Sequence, residues 1–203
     1  QDLINVHAEC EKLMPLIHLP VQSGSNKILE AMNRKHSIEE YLGIIEKLNK
    51  VNSSIKFSSD FIIGYPGETL EDFKLTEKLI KNVEFINSYS FIFSARPGTP
   101  AFELKKINQS EAKKRLVRFQ SIAEKIKIKY RKTLIGKISN VLFENKTKDG
   151  NKYFGRDEYS NSVIVRSNES LVGKIKKVKI ISGNLNTLYG ETYSKFKQNN
   201  YAA

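Results

Sequence analysis

Isolated polar side chains gather in three loops, each of which follows an apolar segment predicted to be a β-strand. The segments read LIHLPVQ, KFSSDFIIGYP and SYSFIFSAR, and their loops are rich in glycine, serine and proline. The carboxyl ends of parallel strands meet at one edge of a sheet, where such folds bind their ligands. We therefore predict that the loops line one side of a pocket. The predicted pocket residues are Gln22, Ser23, Ser25, Asp60, Gly64, Pro66, Gly67, Glu68, Ser94 and Arg96.

Several of these residues also have a purely structural interpretation. Ser25 can cap the helix that follows it, and the loop containing Gly64 and Gly67 can be a tight turn and nothing more. Asp60 is unusual in an apolar strand, so it either faces a ligand or forms a buried ion pair with a neighbouring strand. Arg96 is suited to binding a carboxylate or an RNA phosphate.

The elements that must position these loops alternate between strand and helix. Strands are predicted at 16–22, 56–66 and 88–96, and the clearest helices at 37–52 and 69–84. Short links between alternating strands and helices are typical of a parallel α/β sheet. Three strands cannot close a barrel, so we predict part of a (β/α) barrel.

Both helices carry N-terminal signals. Ser37 and Glu40 have the spacing of a capping box, and Thr69 caps the second helix with Asp72 in its first turn. Apolar residues at helical spacing predict which side of each helix is buried. The predicted core residues of the two helices are Tyr41, Ile44, Ile45, Leu48, Phe73, Leu75, Leu79, Ile80 and Val83.

The second half of the chain has a different pattern. Residues 108–132 predict one long helix, whose apolar stripe consists of Ala112, Leu116, Phe119, Ala123, Ile126 and Tyr130. Its basic face consists of Lys113, Lys114, Arg118, Lys125, Lys129 and Arg131. Short strands separated by glycine turns follow, which predicts a small all-β barrel of the OB type. The predicted division is a barrel part at 1–107, a connecting helix at 108–133, a β-barrel at 134–193 and a tail at 194–203.

Charge is distributed unevenly along the chain. The net charge is +12, but residues 1–103 carry −3, residues 104–136 carry +9 and residues 137–203 carry +6. A basic second half favours binding to a polyanion, with RNA or DNA as the leading candidate, although a solvated lysine-rich surface would have the same composition. Tyr153 and Phe154 beside Arg156 offer a stacking surface, and Phe154 is the stronger candidate for the barrel core. The predicted RNA-binding residues are Lys137, Lys152, Tyr153, Arg156, Arg166, Lys174, Lys176, Lys177 and Lys179.

The ionisable residues do not predict a catalytic group or a metal site. The one cysteine, Cys10, cannot form an internal disulfide or hold a cluster alone, and we expect it to be half-buried and structural. His7, His18 and His36 are scattered, and His18 is expected to be packed. No apolar run approaches the roughly 20 residues of a membrane span, and cysteine usage favours a reducing cytoplasm.

Three motifs together resemble the methylthiotransferase branch of the radical S-adenosylmethionine enzymes. They read HLPVQSGSNKILEAMNRKHSIEEY, SSDFIIGYPGETLEDF and YSFIFSARPGTPA, and the resemblance extends from about Leu13 to Glu191. The sequences HLPVQSGS and MNRKH favour the branch that acts on N6-isopentenyladenosine. The resemblance implies a partial radical (β/α) barrel followed by an RNA-binding TRAM domain.

The resemblance also implies a chemistry. One 4Fe-4S cluster cleaves S-adenosylmethionine to a radical, which takes hydrogen from C2 of the modified adenosine next to the tRNA anticodon. A second cluster carries the methylthio group, and a second S-adenosylmethionine supplies its methyl. The ten pocket residues would then bind the cofactor, and tRNA would be the partner, with neither DNA nor a membrane involved.

The chain departs from the family in its cysteines. The family's radical cluster needs a CxxxCxxC loop, and its auxiliary cluster needs three further cysteines, none of which this chain contains. We therefore expect the chain to be the C-terminal part of such an enzyme, with the missing N-terminal part as its partner, and to be inactive alone. The alternatives are a stand-alone RNA-binding adaptor, or a methylthiotransferase that acts on threonylcarbamoyl-adenosine tRNA or on a ribosomal protein.

Overall fold

A computed structural model describes residues 2–148 and 150–193, and the predicted tail at 194–203 lies outside them. The chain divides into two compact units between Lys127 and Ile128. This division falls inside the helix that the sequence predicted as a separate connector.

The first unit is a parallel α/β structure, as predicted. In the described residues its strands are hydrogen-bonded in the order β1-β2-β3, and both pairs are parallel. The elements in chain order are α1 (Asp2–Glu9), β1 (Leu16–His18), α2 (Asn26–Ala31), α3 (Ile38–Val51), β2 (Lys56–Ile63), α4 (Leu70–Val83), β3 (Asn87–Ile92), a 3₁₀ turn (Pro100–Phe102) and α5 (Gln109–Lys132).

The predicted helix starts are confirmed. Ser37 and Glu40 form a reciprocal capping box at α3, and Thr69 and Asp72 form a second one at α4. Each box satisfies amide donors that the first helical turn leaves without partners. Helix α1 was not predicted, because its eight residues are too few for a clear period.

The strands are shorter than predicted. Strand β1 ends at His18, because Pro20 has no amide to donate to the ladder. The chain rejoins the sheet at Gln22, which forms an isolated bridge with Phe61. Strands β2 and β3 end at Ile63 and Ile92, where the predicted loops begin.

The core of this unit lies between the sheet and its helices. Phe61, Phe73 and Phe119 are almost fully buried, and the Phe61 and Phe119 rings lie 4.7 Å apart. Two predicted core residues, Ile44 and Leu75, are instead exposed. Leu75 lies away from the buried stripe of α4, and Ile44 lies at the edge of the stripe of α3.

The second unit contains the predicted OB-type barrel, which is confirmed. Within the described residues its strands close in the order β4-β5-β6-β8-β7, with β6 and β8 parallel and the other pairs antiparallel. Gly190 lets the strands pack closely, since a Cβ there would lie 2.5 Å from Val178. The strands are β4 (Ile138–Lys146), β5 (Lys152–Asp157), β6 (Ser162–Arg166), β7 (Ile175–Gly183) and β8 (Leu188–Thr192).

Two further features of the structure concern Cys10 and the polarity of the helices. Cys10 is exposed, not half-buried, because it lies just after α1 and outside the core. In the described part of the chain, every helix is too short or too polar to cross a membrane.

Candidate ligand cavity and nucleic-acid surface

A cavity of about 800 Å³ opens over the face of the parallel sheet that the helices leave uncovered. This volume lies within the range of about 300 to 1,000 Å³ that is usual for small-molecule sites. Four of the ten predicted pocket residues line it, namely Gln22, Asp60, Ser94 and Arg96. Gln22 follows β1, Ser94 and Arg96 follow β3, and Asp60 lies within β2, so side chains from all three strands converge on the cavity.

The alternation of strand β2 decides which side chains face the cavity. Phe61 and Ile63 are buried on the helix side, so Asp60 and Ile62 project to the opposite face. The parallel register sets Tyr89 beside Asp60 and Phe91 beside Ile62. Tyr89 and Phe91 are 54% and 58% exposed, so this sheet face carries large aromatic side chains without a covering layer.

Gln22 is held at the cavity by backbone bonds. Its amide donates to the Asp60 carbonyl at 3.0 Å, and its carbonyl accepts from the Ile62 amide at 2.9 Å. Its φ is +75°, a left-handed conformation that is unfavourable for a residue with a side chain. Such strain persists only where the surroundings enforce it, and it occurs often at ligand sites.

Asp60 faces the cavity, and its contact with the neighbouring strand is partly exposed, so the predicted buried ion pair is not observed. Its carboxylate lines the cavity and lies 3.4 Å from Nε2 of His18 on the neighbouring strand. Nδ1 of His18 lies 2.9 Å from the Ser58 hydroxyl, and the His18 ring meets the Tyr89 ring edge-on. His18, Asp60 and Tyr89 therefore form one polar cluster on the uncovered sheet face.

The two predicted serines do not reach the cavity. Ser23 is buried with its hydroxyl 3.4 Å from that of Thr76, and the Ser25 hydroxyl donates to Asp72 at 2.7 Å. Ser25 occupies the cap position of α2 but makes no capping bond with its side chain. Gly24 packs so closely on α4 that a Cβ would lie 2.6 Å from the Thr76 backbone. These residues fasten the first loop to α4, so the prediction that they line the pocket is wrong.

Asp72 of α4 accepts hydrogen bonds that hold the first loop and α2 against this helix. Burial acts to raise the pKa of its carboxyl, but hydrogen bonds outweigh burial and hold the pKa well below its ordinary value. The donors are the amide and hydroxyl of Thr69, the hydroxyl of Ser25 and the ammonium of Lys27.

Glu68 is also structural. It is 5% exposed, and its carboxylate accepts from the Gly64 amide at 3.1 Å and from Arg115 of α5 at 2.8 Å. Burial raises the pKa of Glu68, and the hydrogen bonds from Arg115 and Gly64 only partly oppose it. Gly64 has φ +75° and abuts α5, where a Cβ would lie 2.9 Å from that of Ala112. Gly64 and Glu68 therefore pack against α5 instead of lining the cavity.

The residue of this loop that does line the cavity is Tyr65, which was not predicted from the sequence. Its hydroxyl donates to the Ala31 carbonyl at 2.8 Å, and its ring packs against Phe93 at 4.8 Å. Pro66, which is buried, and Gly67, which is exposed with φ +82°, do not line the cavity, although both were predicted to do so. The sequence feature that could have identified Tyr65 is its position between Gly64 and Gly67 in the motif SSDFIIGYPGETLEDF.

A second segment that was not predicted is Met32–Arg34, which follows α2 and lines the cavity. Asn33 has φ +56°, so the chain turns back sharply at this point. The sequence signal for this segment was the MNRKH motif, which begins with these three residues.

The predicted RNA-binding cations lie on the outside of the barrel. The exposed ones are Lys137, Arg156, Arg166, Lys174, Lys176, Lys177 and Lys179, and Lys152 is half-buried. Because these side chains project from several strands and loops, the barrel surface is basic over a wide area. That distribution suits contacts with successive phosphates.

The two aromatic assignments on β5 are reversed. Tyr153 is 5% exposed and belongs to the barrel core, whereas Phe154 is half-buried and faces outward with Arg156. The reason is strand alternation, since Tyr153 shares its face with the buried Asp157. Arg156 lies over the Phe154 ring at 5.5 Å. Phe154, and not Tyr153, is therefore the exposed stacking surface.

Two predicted basic residues of α5 are engaged within their own units. Arg118 donates to both carboxylate oxygens of the buried Glu77, each at 2.6 Å. Arg131 is 5% exposed and donates to the Asn184 carbonyl at 2.9 Å. Lys113, Lys114, Lys125 and Lys129 are exposed.

The family model "Radical SAM superfamily" matches residues 2–80, and the model "TRAM domain" matches residues 132–192. The first unit is therefore similar to the radical SAM superfamily over most of its length, and the second unit matches the TRAM domain.

Two curated relatives that the chain resembles carry the same name. The chain is 57% identical over 97% of its length to the tRNA-2-methylthio-N(6)-dimethylallyladenosine synthase of Pelagibacter ubique (strain HTCC1062). It is 48% identical over 94% of its length to the protein of the same name from Wolbachia pipientis subsp. Culex pipiens (strain wPip). In both comparisons it covers 44% of the relative, in the C-terminal part. The chain thus spans less than half the length of the curated relatives it matches.

Proposed function

We propose that this chain is the C-terminal part of a tRNA methylthiotransferase that modifies C2 of N6-isopentenyladenosine next to the anticodon. The observation that carries the proposal is 57% identity to such a synthase across nearly the whole chain, both units included. In this proposal the first unit contributes one wall of the cofactor site, and the TRAM domain binds the anticodon stem-loop of tRNA. The setting would be the cytoplasm.

The cavity suits S-adenosylmethionine in volume and in chemistry. The ligand carries a carboxylate, an amine and an adenine, which need a cation, an anion and hydrogen-bonding groups. Arg96 would bind the carboxylate, Asp60 would bind a donor group of the ligand, and Gln22 and Ser94 would hydrogen-bond polar edges. When bound, S-adenosylmethionine supplies the radical and the methyl group of the reaction. Tyr65 and Phe93 contribute an apolar wall to this part of the cavity.

The residues of this chain do not suit an iron–sulfur cluster. Such clusters are held mainly by cysteine thiolates, and Cys10 is the single cysteine. In the described residues, no group of three or more histidine, cysteine or acidic side chains is placed to hold a metal ion. In the proposed enzyme the cluster ligands therefore lie in the N-terminal part, and no step through a cluster is assigned to this chain.

The test is a fusion protein. The N-terminal part of the Pelagibacter ubique synthase is joined ahead of Gln1 and expressed in a bacterium that lacks its own synthase, and tRNA nucleosides are measured by mass spectrometry. We expect 2-methylthio-N6-isopentenyladenosine to appear, and to fall at least tenfold in Asp60→Asn. The exposed Glu71→Gln of α4 is the charge-matched control and should retain the product.

The fusion also separates the alternatives. A fusion that accumulates with both clusters loaded but leaves N6-isopentenyladenosine unmodified would overturn the proposal. A methylthio group on threonylcarbamoyl-adenosine, or on a ribosomal protein, would assign the chain to another branch of the same enzymes.

A further inference from the structure

The outer surface of the TRAM barrel carries one apolar row across three adjacent strands. The register pairs Phe154 of β5 with Ile164 of β6, and Ile164 with Tyr189 of β8. All three face outward, because their neighbours Tyr153, Val163 and Leu188 are buried in the core. Tyr189 is 41% exposed, and Phe154 and Ile164 are half-buried. We call Phe154, Ile164 and Tyr189 the aromatic row.

The spacing of the aromatic row suits nucleobases. Neighbouring strands lie about 4.8 Å apart, so rings on the outer two of three strands are separated by about 10 Å. Two bases that are not stacked on each other can therefore cover Phe154 and Tyr189, with Ile164 between them. In OB folds, moreover, the face of the second and third strands binds oligonucleotides, and here those strands are β5 and β6.

Cations flank the aromatic row on both sides. Arg156 lies two residues beyond Phe154, and Lys152 pairs across the strands with Arg166 on the other side. A strand of RNA that lays bases on the row would bring its phosphates close to these three side chains. Stacking platforms bordered by cations are typical of sites for single-stranded nucleic acid.

One acidic residue competes for this site. The Glu144 carboxylate lies 3.1 Å from Nε of Arg156, while the Arg156 guanidinium covers the Phe154 ring. Both side chains are substantially exposed, at 40% and 50%, so the ion pair can exchange with other partners. A phosphate can replace the Glu144 carboxylate on Arg156, and a base can replace the guanidinium on Phe154.

We propose that the aromatic row binds single-stranded RNA by stacking two bases on Phe154 and Tyr189, and that Arg156 transfers from Glu144 to an RNA phosphate when the bases bind. This inference rests on the proposed RNA-binding function and adds to it the face, the strandedness and a competing group. Single strands are required, because a base in a duplex is already stacked on both faces.

The first experiment uses the whole chain and a tryptophan reporter. The chain has no tryptophan, so Tyr189→Trp introduces a single indole into the aromatic row. We expect an eight-nucleotide single-stranded RNA to quench its fluorescence, and a duplex of the same sequence to quench it much less. Ile44→Trp, at an exposed position of α3 in the first unit, is the matched control and should respond little to either RNA. Equal quenching at both positions would overturn the proposed face.

The second experiment measures affinity for the same single-stranded RNA, with a fluorescent label and chains without tryptophan. Phe154→Leu and Tyr189→Leu keep an apolar side chain but remove the ring, and each should weaken binding about tenfold. Glu144→Gln should tighten binding about threefold, because the competitor is removed. Glu169→Gln removes one negative charge at an exposed site in the loop after β6 and should change affinity less.

The outcomes distinguish this inference from the function on which it rests. Salt-sensitive RNA binding that is unchanged in both leucine variants would overturn the stacking site and leave RNA binding intact. Equal effects of Glu144→Gln and Glu169→Gln would overturn the exchange of Arg156. Absence of RNA binding at low salt would overturn the inference together with the RNA-binding part of the proposed function.

Discussion

Asp72 and Glu68 are both buried in the first unit, but their pKa values are shifted in opposite directions. Asp72 accepts four hydrogen bonds from three residues that surround its two oxygens, so its charged form is favoured and its pKa is lowered. Glu68 accepts from Arg115 and Gly64, yet burial dominates and raises its pKa. Asp72 therefore stabilises the folded state as an anion, whereas the charge of Glu68 depends on a single arginine.

Replacement of Asp72 tests the first of these situations. Asp72→Asn should lower the free energy of unfolding by about 2 kcal/mol at pH 7, because several charge-assisted hydrogen bonds are weakened. A lowered pKa in the folded state contributes stability above the ordinary value of 3.8 and loses it as the pH falls toward the folded pKa. The difference between the variant and the original chain should therefore shrink below about pH 4 in urea titrations.

The control for this prediction is Glu71→Gln, an exposed neighbour in the same helical turn. It should cost less than about 0.5 kcal/mol. A deficit in Asp72→Asn that stays constant from pH 7 to pH 2.5 would contradict the proposed role of the ionised carboxylate.

Helix α5 is fastened to the first unit by two ion pairs on consecutive turns. Arg115 binds Glu68 from the loop after β2, and Arg118 binds Glu77 of α4. Both carboxylates are buried, so each would be left as an unpaired buried charge without its arginine. The sheet, the loop after β2 and α5 are thus positioned together, and this loop holds Tyr65 at the cavity.

Arg115→Met tests this fastening. We expect the free energy of unfolding of the first unit to fall by about 3 kcal/mol, because the Glu68 carboxylate remains buried without a cationic partner. The double variant with Glu68→Gln should recover a large part of the loss, since the buried charge is then absent. Chemical denaturation followed by circular dichroism measures both values, and a double variant no more stable than Arg115→Met would refute the explanation.

Negative and positive charge are concentrated in different parts of the chain. Residues 1–103 carry a net charge of −3, and the remainder is strongly basic. Binding led by phosphate contacts releases counterions, so the affinity for RNA should fall steeply as salt increases. Affinity for RNA that did not change with salt would contradict the basic surface as the binding surface.

A charge variant tests the contribution of the barrel lysines. Replacement of Lys174, Lys176 and Lys177 by glutamine should flatten the slope of log affinity against log salt by about 2, since each phosphate of single-stranded RNA that a lysine neutralises adds roughly 0.7 to that slope. The control changes Lys47, Lys78 and Lys81, three exposed lysines of the first unit, and should leave the slope nearly unchanged. An equal change in both variants would show that net charge alone sets the affinity.

Local patterns in the sequence determined the order of elements and the caps. Ser37, Glu40, Thr69 and Asp72 are recognisable as helix starts because a capping box depends on residues three apart. The glycine-separated strands likewise predicted the OB-type barrel. The convergence of strand ends on a cavity was also predictable, because it follows from parallel connectivity.

Only the tertiary structure decided which polar residues reach the cavity. Ser23, Ser25 and Glu68 are bound by Thr76, Asp72 and Arg115, which lie 47 or more positions away in sequence. The predicted core and surface positions of Tyr153 and Phe154 were reversed for a related reason. Which face of a strand is buried depends on the register across the barrel. Sequence spacing reveals which residues share a face, whereas long-range pairing determines whether that face meets the core, the solvent or a ligand.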